Sequence, residues 1–214
     1  MKKLMLISLL ILTSARLLMA QPAGNNAAYV SAIEAQLKVL DTATSGATLT
    51  SLADKFEQIG QGWEAYYYAA YCNITLLNTI ADRSTTDPII DKAEKQIKQA
   101  ATLSPDNAEI AIVQAMVIYS RVLVNPTDRW TSLNEGDSYL AKAKKLDPAN
   151  PRPYVIEARV KANTPEMLGG GVDAAKTALD SCFAKLKTFQ PANSIAPRWG
   201  EGLAKRLKEK IAQL

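Results

Sequence analysis

One arrangement recurs three times and fixes what this chain can fold into. A small residue is followed four places later by a bulky apolar one, and three places after that by another small one. The triplets are Ala93, Ile97, Ala100, then Gly136, Leu140, Ala143, then Ala175, Leu179, Cys182. Spacings of four and three place each triplet on one face of a helix. The slim residues let a neighbouring helix approach closely. In the first two copies a proline follows five residues on, Pro105 and Pro148, where a helix must stop.

A second pattern precedes each copy. GWEAYYYAAYC (62–72), AEIAIVQAMVI (108–118) and PRPYVIEARVK (151–161) align without gaps, with alanine eighth in each: Ala69, Ala115 and Ala158. These stretches are expected to be the first helices of three helix pairs. Asn107 and Asn150 are placed to cap the second and third, and Pro151 to begin a first turn. No long stretch alternates in the manner of a strand, so the expected class is all-α.

The alternation resembles the tetratricopeptide repeat. Its pattern is alanine at position 8 of helix A, then small, bulky and small residues on helix B, then proline; SPDN and DPAN resemble its linkers. The likeness covers residues 62–187. Its departures are a longer loop between the two helices of every pair and a missing third proline, where Lys187 stands. Small exported bacterial proteins of this kind also resemble the chain in carrying a glycine run before the last helix B, here Gly169, Gly170 and Gly171. The resemblance implies an α-solenoid of antiparallel helix pairs. About three repeats would be flanked by an N-terminal pair (26–41 and 49–60) and a C-terminal capping helix from Pro197 to Leu214. On that helix Trp199, Leu203, Leu207, Ile211 and Leu214 would share the inward face, and Lys205, Arg206, Lys208, Glu209 and Lys210 would meet water.

Residues 1–20 are expected to be an export signal, with Lys2 and Lys3 before the apolar run LMLISLLILTSA and cleavage after Ala20, a cut after Ala15 being the alternative. One helical-repeat domain, 21–214, then remains in the periplasm or outside the cell, with no stable membrane insertion. Cleavage removes three basic residues, Lys2, Lys3 and Arg16, and no acidic ones. Of 25 basic residues 22 remain against 21 acidic. That near-neutral balance, with lysines scattered over helix faces, argues against a nucleic-acid partner.

The chain has no histidine and two cysteines. The commonest general base is therefore missing, and an all-cysteine zinc site is excluded. No Gly-x-Ser-x-Gly elbow occurs, and the glycine run lacks the Gly-Lys-Ser/Thr ending of a phosphate loop. No catalytic, metal or cofactor-binding residues are expected, and Cys72 and Cys182 are expected to be packing residues.

What remains is a surface. In the tetratricopeptide fold the A helices line the concave face, and carrying their positions over gives Trp63, Tyr66, Ala70 and Asn73 from the first. The second gives Glu109, Ile112, Met116 and Tyr119. The third gives Arg152, Val155, Arg159 and Ala162. Aromatic and arginine side chains suit an interface, so the resemblance implies a non-enzymatic scaffold that binds a protein or peptide in the bacterial cell envelope. The alternative is a small-ligand-binding accessory protein of a transport system, with Tyr66, Ile112 and Met116 lining an apolar pocket. Trp130, isolated in the loop 124–135, either pins that loop or awaits a partner, and pinning is the favoured expectation.

Overall fold

The computed structural model describes residues 26–213, so the expected export signal lies outside the described residues. Every regular element described is helical. In chain order they are α1 (Ala27–Leu40), α2 (Gly46–Ile59), α3 (Trp63–Leu76), α4 (Asp87–Leu103), α5 (Ala108–Val124), the single turn α6 (Pro126–Arg129), α7 (Leu133–Leu146), α8 (Arg152–Lys161), α9 (Val172–Leu186) and α10 (Glu201–Ile211). The main pairings follow chain order: α2 and α3, α3 and α4, α5 and α7, α8 and α9.

The pairing rests on the small residues. Ala69, Ala93, Ala100, Ala115, Ala143, Ala158, Ala175 and Cys182 are all completely buried. A larger side chain at any of these crossings would push two helices apart. Gly136 is the tightest case, because a Cβ there would lie 2.5 Å from the Tyr119 ring.

Composition decides which helices lie inside. The α3 sequence YYYAAYC has no polar face, and Tyr67, Tyr68, Ala70, Cys72 and Ile74 are buried. Helix α5 is likewise apolar on nearly every side. A helix without a wet face must be central. Helices α4, α7 and α10 carry apolar residues on one side only and pack on the outside.

Caps set the helix starts. Asn107 Oδ1 accepts from the Glu109 amide at 2.9 Å, and Asn150 Oδ1 accepts from the Arg152 amide at 3.0 Å. Both thiols are free and buried.

The C-terminus departs from expectation. Helix α10 begins at Glu201, not Pro197, because Gly200 turns the chain at φ +123°, a conformation that favours glycine. Residues 189–200 form an irregular strap over α3. Trp199 stacks on Tyr71 with ring centres 4.9 Å apart, and its indole N–H donates to Tyr67 Oη at 2.7 Å. Tyr68 Oη donates to the Ile195 carbonyl at 2.8 Å. Leu203 and Leu207 then carry α10 onto the smaller core formed by α8 and α9.

Candidate functional site

The concave-face expectation meets a largely filled interior. Ile112 and Val155 are completely buried, and Asn73 donates to Gln96 Oε1 at 2.8 Å inside the packing of α3 on α4. Glu109 and Arg152 face each other beneath the strap; Arg152 Nε donates to both Glu109 carboxylate oxygens, at 2.8 and 3.0 Å. The Arg152 guanidinium also lies over the Phe189 ring, 4.6 Å from its centre. Trp63 packs edge-on against Tyr67, and Trp63 and Tyr66 are both half-buried against the main core. These seven side chains pack in or against the core and offer little to a partner.

Three of the expected residues do meet at an open site. Met116, Tyr119 and Arg159 line a hollow of about 260 Å³ with Ile74, Val122, Ile156 and Val160. Of the pocket residues named in the alternative, only Met116 is there; Ile112 is core and Tyr66 lies elsewhere. The floor comes from α3, α5 and α8. The walls come from two inter-helix loops, one supplying Pro126 and Trp130 and the other Thr164, Pro165 and Leu168. The hollow is therefore an apolar slot between helix surfaces and two inter-helix loops.

The walls are held by specific contacts. Arg129 grips Asp87 with two hydrogen bonds, Nη1 to Oδ1 at 2.8 Å and Nη2 to Oδ2 at 2.9 Å, which ties α6 to α4. The neighbouring guanidinium holds the Asp87 carboxyl below its ordinary pKa. The second loop closes on itself. Gly171 N–H donates to the Thr164 carbonyl at 2.9 Å, and Gly170 has no room for a Cβ, which would sit 2.0 Å from that same oxygen. The glycine run is thus a tight-turn device. The Thr164 hydroxyl donates back to the Val160 carbonyl at 2.9 Å.

Trp130 is 57% exposed although it lines the slot. Leu168 is 61% and Met167 90% exposed on the opposite loop. Trp130 is therefore not a buried pin. Its loop is pinned by Arg129, and the indole stands beside open space.

A second hollow, of about 530 Å³, adjoins the first and shares Leu123, Arg159 and Asn163 with it. Its character is different. Arg83, Arg159, Arg206 and Lys210 line it, with no acidic residue among the lining. Arg159 Nη2 donates to Asn78 Oδ1 at 3.3 Å. Burial, and then the nearby Arg83 charge, hold the Arg159 guanidinium below its ordinary pKa. Among the described residues none of these four cations makes an ion pair.

Arg83, Arg206 and Lys210 were missed by the sequence reading. Arg83 sits in a short 3-10 turn between α3 and α4, and the other two lie on the face of α10 assigned to water. The described residues contain no cluster of side chains suited to holding a metal ion, and no helix among them is long and apolar enough to cross a membrane.

No family model matches the chain, and no curated protein does. Among solved structures, the HusA haemophore from Porphyromonas gingivalis superposes with a TM-score of 0.76 at 32% sequence identity. The match covers 89% of this chain and 96% of the haemophore chain. At that identity and coverage, the chain belongs to the same family as the HusA haemophore.

Proposed function

We propose that this protein binds haem, or a tetrapyrrole of the same build, and carries it as a non-enzymatic accessory of an uptake system in the cell envelope or outside the cell. The observation that carries this reading is the apolar slot between α5, α8 and the two inserted loops, in a chain of haemophore family. A tetrapyrrole is a broad, flat, mostly apolar body, and a slot lined by Met116, Ile156, Val160 and Trp130 suits such a shape. The buried small residues and the paired helices support a tetratricopeptide-like scaffold beneath it.

The donor set says how iron would be treated. The chain has no histidine, so no imidazole is available. Met116 and Tyr119 carry the slot side chains most suited to iron. The Tyr119 hydroxyl already donates to Asp137 Oδ1 at 2.6 Å. Affinity therefore comes chiefly from burying the macrocycle.

Titration of the purified protein with haemin, followed by the haemin absorbance band and by tryptophan fluorescence, tests the reading. Saturable one-site binding with quenching of the tryptophan emission is expected. Val160→Asp, at the edge of the slot, is expected to weaken it at least about tenfold, since a carboxylate would face an apolar surface. Absence of saturable binding, or equal binding by a folded Val160→Asp variant, overturns it.

A further inference from the structure

We propose that the basic hollow beside the slot is an anion grip that fixes the ligand's orientation and selects a tetrapyrrole whose carboxylates share one edge. This rests on the reading of the slot as a tetrapyrrole site and adds to it the chemistry and direction of the ligand. The two hollows meet at Leu123, Arg159 and Asn163. One side of that junction is apolar and the other carries Arg83, Arg206 and Lys210, drawn from the α3–α4 connection and α10. Arg159 stands at the boundary.

Four cations around one hollow repel each other, and Arg159 is half-buried as well. Three other arginines of the molecule are neutralised by carboxylates. Arg152 has Glu109, Arg121 has Asp91 and Glu94, and Arg129 has Asp87. The cations of the hollow have no such partner among the described residues. Guanidinium groups match carboxylates in geometry and charge, so a ligand bearing carboxylates would relieve the repulsion.

Haem has two neighbouring propionates on one edge and a bare hydrocarbon edge opposite. Placing the bare edge against Trp130 and Met116 sets the propionates over Arg159 and Arg206. Masking the carboxylates as methyl esters removes the charge and leaves the macrocycle unchanged. A porphyrin with carboxylates around its whole rim has no bare edge for the slot.

The test uses the full mature chain and four probes: haemin, its dimethyl ester, protoporphyrin, and an octacarboxylate porphyrin. Haemin and protoporphyrin are expected to bind at least about tenfold more tightly than the ester or the octacarboxylate, the size of one charge-assisted contact or more. Raising the salt concentration should weaken haemin and leave the ester little changed. Arg206→Gln, an exposed position on α10, should shrink the preference for haemin over ester toward unity, and Arg206→Lys should restore part of it. Equal affinity for haemin and ester overturns the grip while the tetrapyrrole site stands. Equal affinity for the octacarboxylate overturns the orientation. If no probe binds, the site reading fails and this inference fails with it.

Discussion

Arg152 and Glu109 form a bidentate pair whose arginine is 1% exposed, and Asn150 Nδ2 donates to the same carboxylate. The pair joins the start of α5 to the start of α8 and supports the strap through Phe189. Removing one partner leaves a buried charge uncompensated. Glu109→Ala is expected to cost ~3–5 kcal/mol in urea unfolding. Replacing both partners by apolar residues, Glu109→Leu with Arg152→Met, should cost less than the single change. A single variant of near-native stability would show that the buried charge finds another partner.

Gly136 sits under the Tyr119 ring. Gly136→Ala adds a Cβ where the ring already lies, so α7 must move off α5 or the ring must turn. Overpacking of this kind is expected to cost ~1–3 kcal/mol, read as a lowered Tm. Tyr119 also lines the slot, so the same variant should bind haemin less well. A higher Tm, from reduced backbone freedom at a helical position, would mean that the ring yields freely.

Alkaline pH should unfold the protein early. Burial pushes the Cys72 thiol from an ordinary 9.0 to about 12, and Cys182 to about 11. Burial moves Tyr67 and Tyr68 upward too. In each case the folded chain holds the proton more tightly than the unfolded chain. Their contribution is intact below pH 9 and is lost as pH rises toward 12, at ~1.4 kcal/mol per pH unit for each group that titrates only when unfolded. Urea denaturation at pH 8, 9, 10 and 11 should show stability falling ever more steeply. In Cys72→Ala the fall above pH 9 should be shallower by one proton; an unchanged slope counts against a thiol this deeply buried.

The Arg129 clamp should matter more to binding than to stability. Both partners are about one-third exposed, so Arg129→Ala is expected to leave stability nearly unchanged. The clamp nonetheless fixes the turn carrying Trp130. Time-resolved fluorescence anisotropy should report a freer indole, and haemin affinity should drop several-fold. A rigid Trp130 in the variant would assign the wall's order to Leu133 and α7 instead.

The scaffold was readable because close helix crossings demand slim residues, and Ala69, Ala100, Ala115 and Ala143 stand where that demand falls. The burial of α3 was carried by YYYAAYC, which has no side to give to water, but the concave-face assignment set Ala70 and Asn73 on an open surface instead. Trp199 was misplaced because a spacing of four through Leu203, Leu207 and Ile211 does not reveal that Gly200 ends the helix before it. The site was the least legible part. Arg83, Arg159 and Arg206 are far apart in the chain, and periodicity says which side of a helix is wet without saying what else faces the same water.

The slot's two walls are inter-helix loops, while the helices below meet at crossings of buried small residues. Trp130 and Leu168 belong to segments whose length and composition can drift while the crossings below stay fixed. Exchanging those two segments between members of this family should therefore transplant ligand preference as a cassette, leaving the melting behaviour of the recipient nearly its own.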